Sequence, residues 1–147
     1  MSNIIIDYKE ITRLLPHAPP MVLVESAHWE GKDSLTSYTS EELIKPFICK
    51  EELPGWVLIE IAAQSSAIHS ALAADQQNKS LDHGFLVGLN HWSCKRIPEG
   101  FGKLKISINT ETVLGALILV GTKVFKEQDC IAQGQMKFHV EYKDSSN

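Results

Sequence analysis

Apolar positions first recur with helical spacing. Residues 8–15 place Ile11, Leu14 and Leu15 on one side, and Pro16 ends the helix. His17-Ala18-Pro19-Pro20 follows as an extended connector, because a residue before proline is pushed out of the helical region. Residues 21–27 (MVLVESA) are β-rich, and residues 34–39 read as their hairpin partner across Gly31-Lys32-Asp33. Residues 43–53 are irregular, broken by Pro46 and the charged triplet Lys50-Glu51-Glu52.

The next segment, PGWVLIEIAAQSSAIHSALAA (residues 54–74), opens on a proline suited to a first helical turn and carries alanine throughout, so it predicts a helix of about 20 residues. From Trp56 to Ala63 it is apolar nearly all round, which predicts burial. Residues 76–82 read as a polar loop. Four strand-like runs follow at 84–94, 103–113, 117–126 and 130–142. In the second of them Leu104, Ile106 and Ile108 face one way while Lys103, Lys105 and Ser107 face the other. Turns fall at Pro98-Glu99-Gly100, Leu114-Gly115-Ala116 and Glu127-Gln128-Asp129. A helix apolar on most faces needs a sheet wrapped round it, giving an α+β roll. A single sheet in so small a chain leaves edge and face surface for a second subunit, so a dimer is expected.

The 147 residues suit one domain, placed at 1–142, with a polar tail at 143–147. A charge of −4 argues against a nucleic-acid surface. No uninterrupted apolar run approaches the ~20 residues of a membrane span. The start, MSNIIIDYKE, has neither a basic segment nor a long apolar one, so no export signal is read. Cys49, Cys94 and Cys130 are odd in number and widely spaced, which reads as reduced thiols in the cytoplasm.

Glu60, in VLIEIAA, is the residue that needs a reason. Burying an unpaired carboxylate costs several kcal/mol, so it should be paired, protonated or lining a cavity. Gln64, one turn on, is placed to hydrogen-bond it. One reading is a satisfied Glu–Gln pair, or a helix-edge carboxylate reaching solvent. The other is a general acid/base whose pKa desolvation raises. Backbone N–H groups at Gly55 and Trp56, where the helix opens, are free to hold a carbonyl oxygen. His69 reads as a core or rim histidine and His17 as a buttress of its own turn. His28, His83, His91 and His139 show no metal-ligand spacing, and no nucleophile-elbow, Walker or dinucleotide motif is present. Trp56 and Trp92 read as core.

Residues 14–24, LLPHAPPMVLV, resemble the LLPHRPPMLLVD opening of β-hydroxyacyl-acyl-carrier-protein dehydratases of the FabZ type. LPGWVLIEIAAQ (53–64) resembles their MPGVLIIEALAQ helix, and FLVGLNHWSCKRIPEGFGK (85–103) is similar to their FAGIDKVRFKRPVVPGD strand. These three motifs stand in the family's order. The resemblance implies a hot-dog fold, a homodimer or heterodimer with an acyl tunnel at the interface, and Glu60 as the catalytic carboxylate. It also implies that the Gly55 end of the helix polarises the thioester carbonyl, with Gly55, Trp56 and Gln64 lining the substrate. No metal or organic cofactor is implied.

In that family the α-proton goes to a histidine from the other subunit, in a GHFPG segment just before the helix. Here the matching stretch, PFICKEEL (46–53), has none; His17 and His69 remain as substitutes within the chain, but neither occupies the family position. The Gly-Trp-Val opening looks closer to the ApeP-like subgroup of aryl-polyene clusters, whose members read AWVGIEYMAQ and also lack it. Three functions follow: a dehydratase subunit giving Glu60 to a site completed by an HFPG-bearing partner, a catalytically reduced hot-dog that binds acyl cargo, or an acyl thioesterase. Lys95 and Arg96 are the expected contacts for an acidic carrier. The sequence leaves open the chain length, the carrier and the partner's identity.

Overall fold

Removing the apolar stretch that begins at Val57 from water organises this fold. In the computed structural model, which describes residues 4–144, that stretch is a 21-residue helix, α3 (Gly55–Asp75). Val57, Leu58, Ile61 and Ile68 are fully buried along it. Each contributes about 1.5–3 kcal/mol relative to an exposed position. The surface they pack on is a sheet in which the inward residues Leu35, Leu104, Ile106, Ile108, Val120, Val124, Met136, Phe138 and Val140 share one core with them.

Before α3 come β1 (Ile4–Ile6), α1 (Tyr8–Leu14), β2 (Ser26–Trp29), β3 (Ser34–Ser40), α2 (Glu41–Ile44), a 3-10 turn (Lys45–Phe47) and β4 (Glu52–Leu53). After it come β5 (Lys79–Cys94), β6 (Ile97–Pro98), β7 (Lys103–Leu114), β8 (Leu117–Lys126) and β9 (Asp129–Asp144). Among the described residues one antiparallel sheet runs β1-β2-β3-β7-β8-β9-β5, and β4 pairs with β6 in a small ribbon. The predicted α+β roll is therefore the architecture found: a sheet wrapped around one central helix.

Several local expectations change. Residues 21–25 do not join a strand, because Gln64 takes the Leu23 N–H and the Met21 C=O that a strand partner would have used. The predicted loop at 76–82 ends early, since β5 begins at Lys79 and pairs Lys79 with Asp144 and Ser80 with Lys143. β9 thus continues through Lys143 and Asp144, which the sequence assigns to the tail; residues 145–147 lie outside the described residues. By length and a mean hydropathy of 1.3, α3 is long and apolar enough to cross a membrane, so the expectation that no run approaches a span is corrected. Most of the helix is enclosed by its own protein.

β5 is the last strand of the sheet, paired only with β9. Phe85, Leu86, Val87 and Leu89 stand exposed along it. A long apolar edge with unpaired backbone groups invites another chain. Three irregularities in its pairing bend the strand, and at the last of them Trp92 crosses Gly134 of β9. A methyl group on Gly134 would lie 2.8 Å from the Trp92 Cα. That neighbour is backbone and cannot swing aside. Gly134→Ala is expected to cost about 1–3 kcal/mol, read as a melting temperature several degrees lower. An unchanged melting temperature would show that the crossing tolerates the methyl.

Candidate active site

One buried side chain assembles the site. Gln64 is 1% exposed, at the centre of α3, and its amide is fully engaged. Its oxygen accepts from the Leu23 N–H at 2.8 Å. Its nitrogen donates to the Met21 carbonyl at 2.7 Å and to Glu60 Oε2 at 3.0 Å. The amide therefore joins the connector of residues 16–23 to the carboxylate one turn earlier on α3. With both donors and the oxygen engaged, Gln64 holds the site's frame rather than offering a free amide to a ligand.

Glu60 keeps a third of its side chain open, facing a cavity of about 440 Å³. The walls are more apolar than polar, with Leu15, Ile59, Ala63, Leu86, Ile118 and Phe138 among them, and Arg13, Asp82 and His83 beside Ser66, Ser70 and Thr110 in the polar part. A carboxylate at the side of an apolar slot suits an acyl chain that carries one polar reacting centre. His17 is the residue that linear reading missed. Its Nε2 lies 3.4 Å from Glu60 Oε2, and it lines the same cavity with 32% of its side chain exposed. The expectation that it buttresses its own turn is corrected, because the turn is held by Met21 N–H on Ala18 O and by Gln64. No spacing signal joins two residues on different elements; the contact comes from the connector docking on α3.

At the head of α3, Pro54 takes an extended conformation and adds no side-chain cap. Gly55 and Trp56 are exposed there, and neither lines the Glu60 cavity. Trp56 is 55% exposed and meets Phe47 edge to face, so the reading of Trp56 as core is corrected. Lys95 pairs with Asp129 at 2.9 Å, and Arg96 pairs with Glu52. Both cations are exposed, and each already has a carboxylate.

His69 is a core histidine, as expected. It stacks on Trp29, its Nε2 lies 3.3 Å from the Gly31 carbonyl at the hairpin turn, and burial pushes its pKa down. His83 bridges two carboxylates, with Nδ1 3.1 Å from Asp82 and Nε2 3.1 Å from Glu141. Strand pairing brings these three exposed groups together, close enough to be considered for a cation, where the sequence showed no ligand spacing. Each ring nitrogen already lies against a carboxylate oxygen, which makes the trio a clamp between β5 and β9. The three cysteines are free.

A sheet wound on a helix that presents a carboxylate to an acyl-sized cavity defines a hot-dog protein of the thioester-processing kind. A family model described as ApeP-like, ApeP dehydratase, matches residues 9–143, and the chain belongs to that family. A 3-hydroxyacyl-[acyl-carrier-protein] dehydratase FabZ from Janthinobacterium sp. (strain Marseille) is 28% identical over 109 residues, 70% of each chain. Among solved structures, the dehydratase heterocomplex ApeI:P from Xenorhabdus doucetiae superposes with a TM-score of 0.79 at 22% identity, covering 89% of this chain and 90% of that one. A thioesterase from Haemophilus influenzae gives 0.68 at 10% identity over 95% and 92%. These structural likenesses establish the fold.

Two outcomes follow. Gln64→Leu leaves the Leu23 N–H and the Met21 carbonyl without partners, and each buried orphan costs about 1–3 kcal/mol. Denaturant unfolding should show a loss of about 2–5 kcal/mol, and a loss under 0.5 would remove the bracing role. For His69 the folded pKa lies below the ordinary value of about 6.5, so the unfolded chain binds more protons. Stability should then fall as pH drops below about 6.5. His69→Gln should flatten the melting temperature between pH 7 and 5, and parallel curves for the two proteins would refute this.

Proposed function

We propose that this chain is a cytoplasmic subunit of a dehydratase acting on 3-hydroxyacyl thioesters carried by an acyl carrier protein, with Glu60 as the acid that protonates the departing hydroxyl. The observation that carries this reading is Glu60 itself, held by the buried Gln64 and open to an apolar cavity. In the elimination the Cα–H bond breaks and its proton goes to a base. The electron pair forms the Cα=Cβ bond. The Cβ–O bond breaks, and the oxygen leaves as water with the proton from Glu60.

The α-proton base is assigned to a histidine of a partner chain. Within residues 45–53 the titratable groups are Lys45, Cys49, Lys50, Glu51 and Glu52, and Glu52 is paired with Arg96. None of these is a histidine, the side-chain type best suited to taking a proton near neutral pH. The exposed apolar edge of β5 supports a second subunit there, an HFPG-bearing one on this reading. Because Gly55 and Trp56 stand outside the Glu60 cavity, their amides are assigned to polarising a thioester carbonyl on the partner's side of the interface. Lys95 and Arg96 are assigned to the acidic carrier, for which they would exchange Asp129 and Glu52 for the carrier's carboxylates.

Glu60→Gln keeps volume and hydrogen bonding but cannot give up a proton in the same way. Turnover of a 3-hydroxyacyl pantetheine thioester to the 2-enoyl product should fall by at least about 100-fold, with the melting temperature unchanged. A folded Glu60→Gln protein with wild-type turnover removes Glu60 from the chemistry. Release of free thiol from a saturated acyl thioester, with no 2-enoyl product from the hydroxy substrate, would make the chain a thioesterase.

A further inference from the structure

The two oxygens of Glu60 are not equivalent. Gln64 Nε2 donates to Oε2 at 3.0 Å, and His17 Nε2 lies 3.4 Å from the same atom. Among the described residues no hydrogen bond reaches Oε1. The other nitrogen of His17, Nδ1, is buried without a partner. A proton on Nδ1 would be an orphaned buried donor, so the tautomer that fits carries it on Nε2, the nitrogen nearer Oε2. The separation of 3.4 Å is longer than a formed hydrogen bond, and a small shift of the connector would close it.

Resting on the reading of Glu60 as the acid, we propose that His17 is a positioning residue. With Gln64 it reserves Oε2 as the anchored oxygen, so that Oε1 carries the proton to the departing 3-hydroxyl. In the acid form Oε2 is a carbonyl oxygen accepting two N–H donors, while Oε1–H faces the cavity. On elimination the Oε1–H bond breaks, its proton leaves in the water, and its electron pair stays on the carboxylate. The cycle closes when the proton held by the α-base returns to Oε1. A carboxyl group held by one donor pivots more freely, which lowers the fraction of bound substrate met by a correctly aimed proton. The two donors reach Glu60 from different elements, Gln64 from α3 and His17 from the connector. Gln64 also ties that connector down at Met21 and Leu23. The arrangement is thus braced on both sides.

The test compares His17→Leu, which removes the donor, with His17→Gln, which supplies an amide N–H. Both are assayed in whichever assembly turns over 3-hydroxyacyl pantetheine, the chain alone or the complex with a co-purified partner. His17→Leu should lower kcat about 10- to 100-fold with KM within about two-fold, because substrate binding does not involve the pivot. His17→Gln should recover kcat to within about three-fold of wild type. If His17→Leu does not fold, His17→Met takes its place. Wild-type kcat in the donor-less variant, or a glutamine variant no better than the leucine one, overturns the role of His17. Loss of turnover in Glu60→Gln beside full turnover in His17→Leu sinks this inference and leaves the acid standing. Full turnover in Glu60→Gln, or no turnover by any assembly of the wild type, sinks both.

Discussion

The bracing of Gln64 is the constraint on which the site depends. A primary amide in a protein interior has two donors and an acceptor to satisfy, and it leaves water at a cost unless all find partners. Here the partners are the Leu23 N–H, the Met21 carbonyl and Glu60 Oε2. The first two are backbone groups, so the amide does for residues 21–23 what a neighbouring strand would otherwise do. The third is the carboxylate. One satisfied side chain therefore fixes the path of the connector, the place of His17 upon it and the orientation of Glu60.

The sheet makes that arrangement possible. A helix without a strong polar face has to be enclosed, and the inward rows of β3, β7, β8 and β9 supply the enclosure. What remains open is the side of α3 that carries Ile59, Glu60, Ala63 and Ala67 toward the connector and the first half of β5. β5 is also the sheet edge with the largest exposed aliphatic and aromatic residues. Cavity and edge share a strand, as Leu86 shows: it lines the cavity and is exposed on the edge strand. A subunit paired along β5 would consequently shape the cavity and supply groups to it.

The elements governed by periodicity were legible in the sequence. The alternation of Leu104, Ile106 and Ile108 matches their burial, and the run of 117–126 has the bounds of β8. The long helix differs by one residue at each end, where boundaries depend on caps rather than pattern. The failures have tertiary causes. Residues 21–25 carry strand composition, yet a side chain from α3 takes the Leu23 N–H and the Met21 carbonyl. β5 begins five residues before its apolar run because β9 offers partners to a polar stretch. Trp56 is apolar enough for the core but sits where the helix emerges from the sheet. The Glu60–Gln64 pair was readable because one helical turn separates its members, whereas His17 and the His83 clamp required the fold.

Residues 45–53, the segment before α3, contain no histidine. That segment is held in place: α2 is capped by Ser40, the 3-10 turn closes with Ile48 N–H on Lys45 O, and Cys49 and Glu52 bridge each other. Lys50 and Glu51 adopt positive φ at the tip of that bridge, a conformation tolerated by few side chains. The loop is therefore a defined turn. Burying a glutamate even in part works against stability, and here the Gln64 hydrogen bond offsets part of that cost. A leucine at position 60 would satisfy the helix at least as well. The glutamate is bonded to Gln64 and lies beside His17. On the proposed reading, the acid belongs to this chain and the α-base to another subunit.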